Sequence, residues 1–406
     1  MTRKRTTTLL VAGLALAALS ADPARPQAAA PAAVTVAVRV LDGPRFVGGL
    51  AASDFEVLAD GVAQNVDALA EVDGNAVVRT EGGPAAPPAT ARRFYLLFQM
   101  YEYNPKVSDA LRYFFNNALL PGDTLEVQTS QKNYMLTPQA FAQKPKNVLA
   151  REMDEILRRD INRGNFVYKE LVRELRRLVQ GIEGTTPVAG GDEASGAMVS
   201  LFGMEQMMNQ YRDSLAKLEA LQTVDQAKII AFARALKKQD GRKFVFLFYQ
   251  QEYRPEISPQ VLNALIDTNQ DNQTILADLH ELFQVYHRNL AYDVKAVVEA
   301  YCDSGADVNF LFMKRTPEKL GGITMREQSE DVFTLFSRIA AATGGISETT
   351  QNPAAEVRDA LATAEKYYLL SFRPVPAATA GAFRSLAVRV SGKTYKVLSR
   401  QGFIAD

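Results

Sequence analysis

A chain of 406 residues with 46 Lys+Arg against 46 Asp+Glu, two His, one Cys, no Trp and 47% hydrophobic residues is too apolar to be disordered throughout. It is long enough for one large domain with a smaller companion. Zero formal charge, with no basic tract after the first five residues, offers nothing to a phosphate backbone and argues against nucleic-acid binding. Cys302 alone rules out an internal disulfide or a multi-cysteine metal site, and two histidines leave few ligands for zinc.

Arg3, Lys4 and Arg5 precede an apolar run of 11 residues, 9–19, followed by Ser20 and Ala21. A membrane span needs roughly 20 such residues, and Ala18-Leu19-Ser20 suits signal peptidase. Residues 1–20 therefore read as a signal peptide, and the product as periplasmic or secreted. An uncleaved N-terminal anchor is the competing reading. Residues 21–33, rich in Ala and Pro, read as a linker.

Val34, Val36, Val38 and Val40 alternate with Thr35, Ala37 and Arg39, the period of a strand with one buried face. Residues 55–58 before Asp60-Gly61 read as a strand entering a tight turn. These make an N-terminal β segment over 34–80, followed by a Pro/Gly/Ala tract at 82–91. Across 92–371, strands and helices alternate. Continuous apolar runs at 94–98, 244–248 and 308–313 suit strands buried on both faces. Helical spacing covers 108–119, 148–161, 166–179, 201–238, 275–301 and 332–343, and Gly344-Gly345 closes the last of these. The Gly/Ala-rich stretch 185–200 reads as an irregular insertion. Such alternation predicts an α/β fold: a doubly wound, mainly parallel sheet with helices on both faces. The α/β domain is drawn to end at 371, and a strand candidate at 367–372 already opens the return to β character. Residues 372–406 return to β character, with strands at 383–390 and 395–398 joined by a hairpin turn at Ser391-Gly392-Lys393. With both ends β-rich, the C-terminal segment is expected to pair with 34–80, carrying the α/β domain as an insertion.

An internal echo marks a candidate site. At an offset of 150, residues 94–108 match 244–258 at seven of fifteen positions, including Phe94/Phe244, Phe98/Phe248, Glu102/Glu252 and Tyr103/Tyr253. Each copy is an apolar strand, a Glu-Tyr-x-Pro loop and a helix start. Ligands of open α/β sheets collect outside the carboxyl ends of strands where strand order reverses. If the two strands are neighbours, Gln99, Glu102 and Tyr103 face Gln250, Glu252 and Tyr253 across one crevice. The plainer reading is a recurrent strand-to-helix solution, with tyrosines packed and glutamates solvated.

These residues, with Ser53-Asp54-Phe55-Glu56-Val57, Asp60-Gly61, Leu120-Pro121-Gly122-Asp123, Gly241-Arg242-Lys243, Thr343-Gly344-Gly345, Tyr367-Tyr368-Leu369 and Arg400-Gln401-Gly402-Phe403, resemble the bacterial von Willebrand factor A-related domain proteins abundant in Acidobacteria. The resemblance covers most of the chain after the linker. It implies a doubly wound α/β domain that binds proteins through a metal-ion-dependent adhesion site. That site is an Asp-x-Ser-x-Ser loop after the first strand, a Thr in a second loop and an Asp after the fourth strand, because a hard divalent cation wants oxygen ligands. Here the first loop reads Gln99-Met100-Tyr101-Glu102-Tyr103, the Thr position falls at Asn165, and the Asp position reads Gln250, followed by Gln251. Neutral amides do not offset the cost of dehydrating magnesium, so no metal and no cofactor are expected. Glu102 with Glu252 would make a poor cage without further oxygen ligands.

Other chemistry is weaker. His280 and His287 lie seven apart on a predicted helix, without the spacing of a zinc pair. No Gly-x-Ser-x-Gly elbow and no phosphate loop is present. Met204, Met207 and Met208 suit a core or an adaptable contact. The expectation is a non-enzymatic, exported interaction module that binds a protein or peptide of the cell envelope. Its contacts would be Gln99, Tyr101, Glu102, Tyr103, Asn165, Gln250, Gln251, Glu252 and Tyr253, with tyrosines giving contact area at low entropic cost. The alternative is a small-molecule or glycan-binding module using the same crevice.

Overall fold

The computed structural model describes residues 33–83, 90–184, 193–288, 291–376 and 379–405. The expected signal peptide and nearly all of the linker lie outside the described residues. The chain opens with β1 (Val34–Asp42), β2 (Arg45–Phe46), β3 (Phe55–Ala59), β4 (Val62–Gln64), β5 (Val66–Asp73) and β6 (Ala76–Gly82). A central stretch follows: β7 (Arg92–Gln99), α1 (Lys106–Tyr113), β8 (Thr124–Gln128), β9 (Asn133–Leu136), α2 (Pro138–Gln143), α3 (Lys146–Gly164), α4 (Phe166–Glu183), α5 (Glu193–Gln222) and α6 (Gln226–Lys237). Next come β10 (Arg242–Gln250), β11 (Tyr253–Ile257), α7 (Pro259–Thr268), α8 (Gln273–Leu279), α9 (Val294–Ser304), β12 (Ala306–Met313) and β13 (Ile323–Glu327). The chain closes with α10 (Glu330–Thr343), β14 (Ser347–Thr350), α11 (Pro353–Ala364), β15 (Lys366–Phe372), β16 (Phe383–Val390), β17 (Lys396–Leu398) and β18 (Gly402–Ile404).

The two ends of the chain are hydrogen-bonded together. One antiparallel sheet runs β17-β1-β15-β5-β6 and a second runs β18-β16-β3-β4. Val36, Val38 and Val40 of β1 pack with Val57, Leu370 and Phe403 between them. On the other face of β1, Arg39 is also buried, 3.6 Å from Asp307 of β12. The strand is thus covered on both sides, not one, and joins the β unit to the α/β unit. The domain boundary expected at 371 falls inside β15, which pairs with β1 and β5 and belongs to the β unit. An apolar run such as Tyr367–Phe372 fits either unit, and only its partners decide.

The second unit is a mixed sheet of order β14-β12-β10-β7-β8-β9, parallel except for the antiparallel edge strand β9. Every residue of β10 and β12 is buried, because helices cover both faces. Residues of α1, α3 and α11 pack on one face, and residues of α6, α9 and α10 on the other. Strand order reverses between β7 and β10. Their register pairs Phe94 with Phe244 and Phe98 with Phe248, and the rings stack at 5.2 and 4.6 Å. The 150-residue sequence offset is therefore the ladder register itself.

Three local readings are corrected. The helix predicted over 275–301 is α8, a π-helical turn (His280–Val285) and, further along the chain, the separate helix α9. Consequently His287 lies beyond the helix that holds His280. Residues 193–200, read as irregular, begin α5; the start of that stretch lies outside the described residues. β16 and β17 do not form a hairpin: β17 pairs with β1, and β16 with β3 and β18.

Candidate functional site

β7 and β10 are neighbours, so their carboxyl ends meet at the reversal point as the crevice hypothesis requires. What lies there is a filled site. Gln250 is 3% exposed, and its Oε1 accepts hydrogen bonds from the backbone N–H groups of Tyr101 and Glu102, each at 2.9 Å. A side-chain carbonyl at the end of one strand thus closes the loop leaving the other. Asn165, buried at the α3–α4 junction, donates through Nδ2 to the carbonyls of Met100 (2.7 Å) and Ile161 (2.8 Å).

Glu252 is fully buried, and each carboxylate oxygen is engaged. Oε1 accepts from the hydroxyls of Tyr101 and Tyr249, both at 2.5 Å, and Oε2 accepts from Arg288 Nη1 at 2.7 Å. Its backbone N–H donates to Ser329 Oγ. Arg288 continues to Asp331 with Nη2 to Oδ1 at 2.7 Å and Nε to Oδ2 at 3.0 Å, a bidentate pair of the stronger kind. Burial pushes the Glu252 carboxyl above the ordinary glutamate value, against the opposing pull of Arg288 and the two phenols. Burial, then the charge of Glu252, pushes the Tyr101 and Tyr249 phenols well above theirs. Both tyrosines therefore stay neutral donors.

The physical reason for this closure is a third apolar cluster. Tyr101 packs with Tyr168, Leu171 and Leu175 of α4, Tyr211 of α5 and Ile257 of β11. The two-stranded β11–β13 sheet and these helices cap the strand ends. Five of the expected contacts are therefore corrected: Tyr101, Asn165, Gln250, Glu252 and Tyr253 are buried, joined to the interior rather than presented to a partner. Tyr253 donates to the carbonyl of Arg315 at 3.0 Å, beneath that residue's guanidinium. Gln99 and Glu102 are exposed, and Tyr103 and Gln251 are half-buried. Glu102 accepts from Arg315 Nη1 at 3.3 Å. Tyr103 donates to Asp154 at 2.5 Å with Arg158 over its ring, and burial, then that hydrogen bond, pushes the phenol up to about 12.

These residues do not fit the divalent ion implied by the family resemblance. The Gln250 carbonyl oxygen already accepts two backbone N–H groups, and Asn165 is turned to present its amide nitrogen to carbonyls. Glu252 would have to release Arg288 into a buried position. Glu102 stands outside the closed network. Among the described residues no group of three His, Cys, Asp or Glu side chains is placed to hold a metal.

Sequence reasoning missed Tyr249, Arg288, Arg315, Ser329 and Asp331. The available signal was Glu252 itself, because a carboxylate two residues beyond a strand built on the apolar run 244–248 needs a partner if the chain covers it. Which arginine supplies it is not encoded locally.

No family model and no curated protein matches the chain. A crystal structure of the human COPII-coat protein Sec24c is similar at 9% identity and a TM-score of 0.30, over 79% of this chain and 44% of that one. The chain thus spans less than half of that protein's length, and a likeness this weak carries no conclusion. No helix among the described residues is long and apolar enough to cross a membrane.

Proposed function

We propose that the chain is an exported, non-enzymatic interaction module. Its central unit is of von Willebrand factor A type and works without a metal ion, and it binds a protein or peptide of the cell envelope. The contact surface in this reading is the rim beside the closed strand ends, not the crevice itself. One observation carries it: Phe166 and Val167, 65% and 54% exposed, follow directly on Asn165, whose side chain is tied to Met100. An aromatic and an aliphatic side chain thus stand in water on a rigid turn. Arg315, largely buried, holds the exposed Glu102 carboxylate at 3.3 Å and reaches the hydroxyl of Tyr168, in the same α4 turn, at 3.4 Å. An apolar anchor within a polar rim is the arrangement that concentrates binding energy in protein interfaces. The enclosed Glu252 network supports the metal-free part of the reading.

The test compares recovery of envelope proteins by wild-type chain, Phe166→Asp/Val167→Ser and the control Met135→Ser, whose side chain is 72% exposed on β9. Loss of a specific partner in the first variant alone supports the rim. Equal recovery by all three rejects it. Calorimetry with magnesium and manganese addresses the metal separately: saturable binding abolished by Glu102→Ala overturns the metal-free assignment.

A further inference from the structure

Three cations without a counter-charge surround the exposed Phe166 and Val167. Arg163 lies three residues before Phe166, across the Asn165 turn and so within about 10 Å of it along the backbone. Lys169 lies three residues after Phe166, its neighbour on the helix surface. Lys132 comes from the turn between β8 and β9. That turn is pressed against the α3–α4 junction: a Cβ on Gly164 would collide with Ser130 Oγ and sit 2.9 Å from Gln131 Nε2, and Lys132 is the next residue. Lys132 and Arg163 are exposed, and Lys169 is half-buried. None of the three has a carboxylate at ion-pair distance among the described residues.

The carboxylates beside them are engaged. Glu102 is held by Arg315 at 3.3 Å, and Glu170 by Arg173. Asp160 is buried and accepts from Thr129 at 2.9 Å, Tyr134 at 2.6 Å and Arg159 at 3.1 Å. The start of α4 adds charge of the same sign, because its first turn holds no acidic residue and no side chain caps it. A partner that covered Phe166 and Val167 with apolar surface alone would desolvate these cations without pairing them. A basic partner would be repelled.

We propose that the segment bound at this rim is an acidic peptide, whose carboxylates meet Lys132, Arg163 and Lys169 while an apolar side chain covers Phe166 and Val167. This rests on the rim being the contact surface and adds the chemistry of what it contacts. Solvated cations that only keep this face soluble are the competing account, and they predict no preference among peptides.

A library of displayed random decapeptides is selected on the full wild-type chain, on Phe166→Asp/Val167→Ser and on Arg163→Glu/Lys169→Glu. Peptides recovered by wild type and lost by the Phe166→Asp/Val167→Ser chain, enriched in Asp and Glu together with an aromatic or aliphatic residue, support the proposal. The strongest of them, made synthetically, is expected to bind the charge-reversed chain about tenfold or more weakly. Its affinity for wild type should also fall as sodium chloride is raised, since exposed charges are screened beyond about 10 Å at 0.1 M, a readout that needs no variant to fold. Peptides that depend on Phe166 and Val167 but carry no acidic excess, or whose binding is indifferent to both salt and charge reversal, overturn the acidic partner and leave the rim standing. Recovery of no peptide that depends on Phe166 and Val167 overturns both.

Discussion

Arg288 Nη1 stands 2.7 Å from Glu252 Oε2, with the two side chains 2% and 0% exposed. A buried pair adds little over apolar residues of the same size, but removing one member leaves an uncompensated charge and costs ~3–5 kcal/mol. Arg288→Met is expected to lose that amount in urea denaturation, while Glu252→Gln/Arg288→Met recovers part of it, the signature of coupled neighbours. Additive losses in the two single variants and the double would mean that the pair does not hold the cap.

Gln250 closes the first loop through one oxygen. Gln250→Leu keeps the volume but strands the buried N–H of Tyr101, at a cost of ~1–3 kcal/mol, and leaves the part-buried N–H of Glu102 without its acceptor. Gln250→Glu keeps the acceptor and is expected to lose less. Amide exchange at Tyr101 and Glu102 should accelerate in the leucine variant and stay slow in the glutamate one. Unchanged protection in both would show that the loop is held by packing alone.

The sequence carried the ladder but not the cap. Phe94, Phe98, Phe244 and Phe248 were legible as strand residues because runs buried on both faces need no alternation, and the repeated spacing matches the register. The enclosure of Glu252 was not, because Arg288 and Asp331 lie 36 and 79 residues away in sequence, and periodicity records that a helix has an apolar face, not what that face covers. The overlong helix has a similar origin. Ile275, Leu279 and Leu282 keep helical spacing, and α9 resumes it. Between them, Tyr286 leaves the helix to lie under Arg254, 4.2 Å from ring centroid to guanidinium, and Arg288 turns inward to Glu252. Tertiary contacts outweigh local propensity there.

Cys302 is expected to be silent in the native state. Its Sγ donates to the Ala342 carbonyl at 3.3 Å, and burial pushes the thiol up to about 11. Thiolate is the reactive species, so a disulfide reagent at pH 8 should label native protein about 100-fold or more slower than a free thiol, and label it promptly in guanidinium. Fast native labelling would mean that the α9–α10 seam opens readily.

Lys243 gives a signed pH dependence. Burial, then the charges of Arg242 and Arg400, pulls its ammonium down to about 8 from 10.5; Asp240 acts in the opposite sense and Arg93 in the same one. Between those two values the unfolded chain holds a proton that the folded chain has released, so stability from this group rises with pH across the window. Below about 8 the charge is carried at a cost. Lys243→Met should therefore be more stable than wild type at pH 7, by ~1–3 kcal/mol after allowance for partial solvation. The difference should shrink as pH rises from 8 to 10.5. Urea midpoints of both proteins across that range check this: a gap that stays constant, or a variant less stable at pH 7, would show that the ammonium serves chiefly to cap the Gln239 carbonyl.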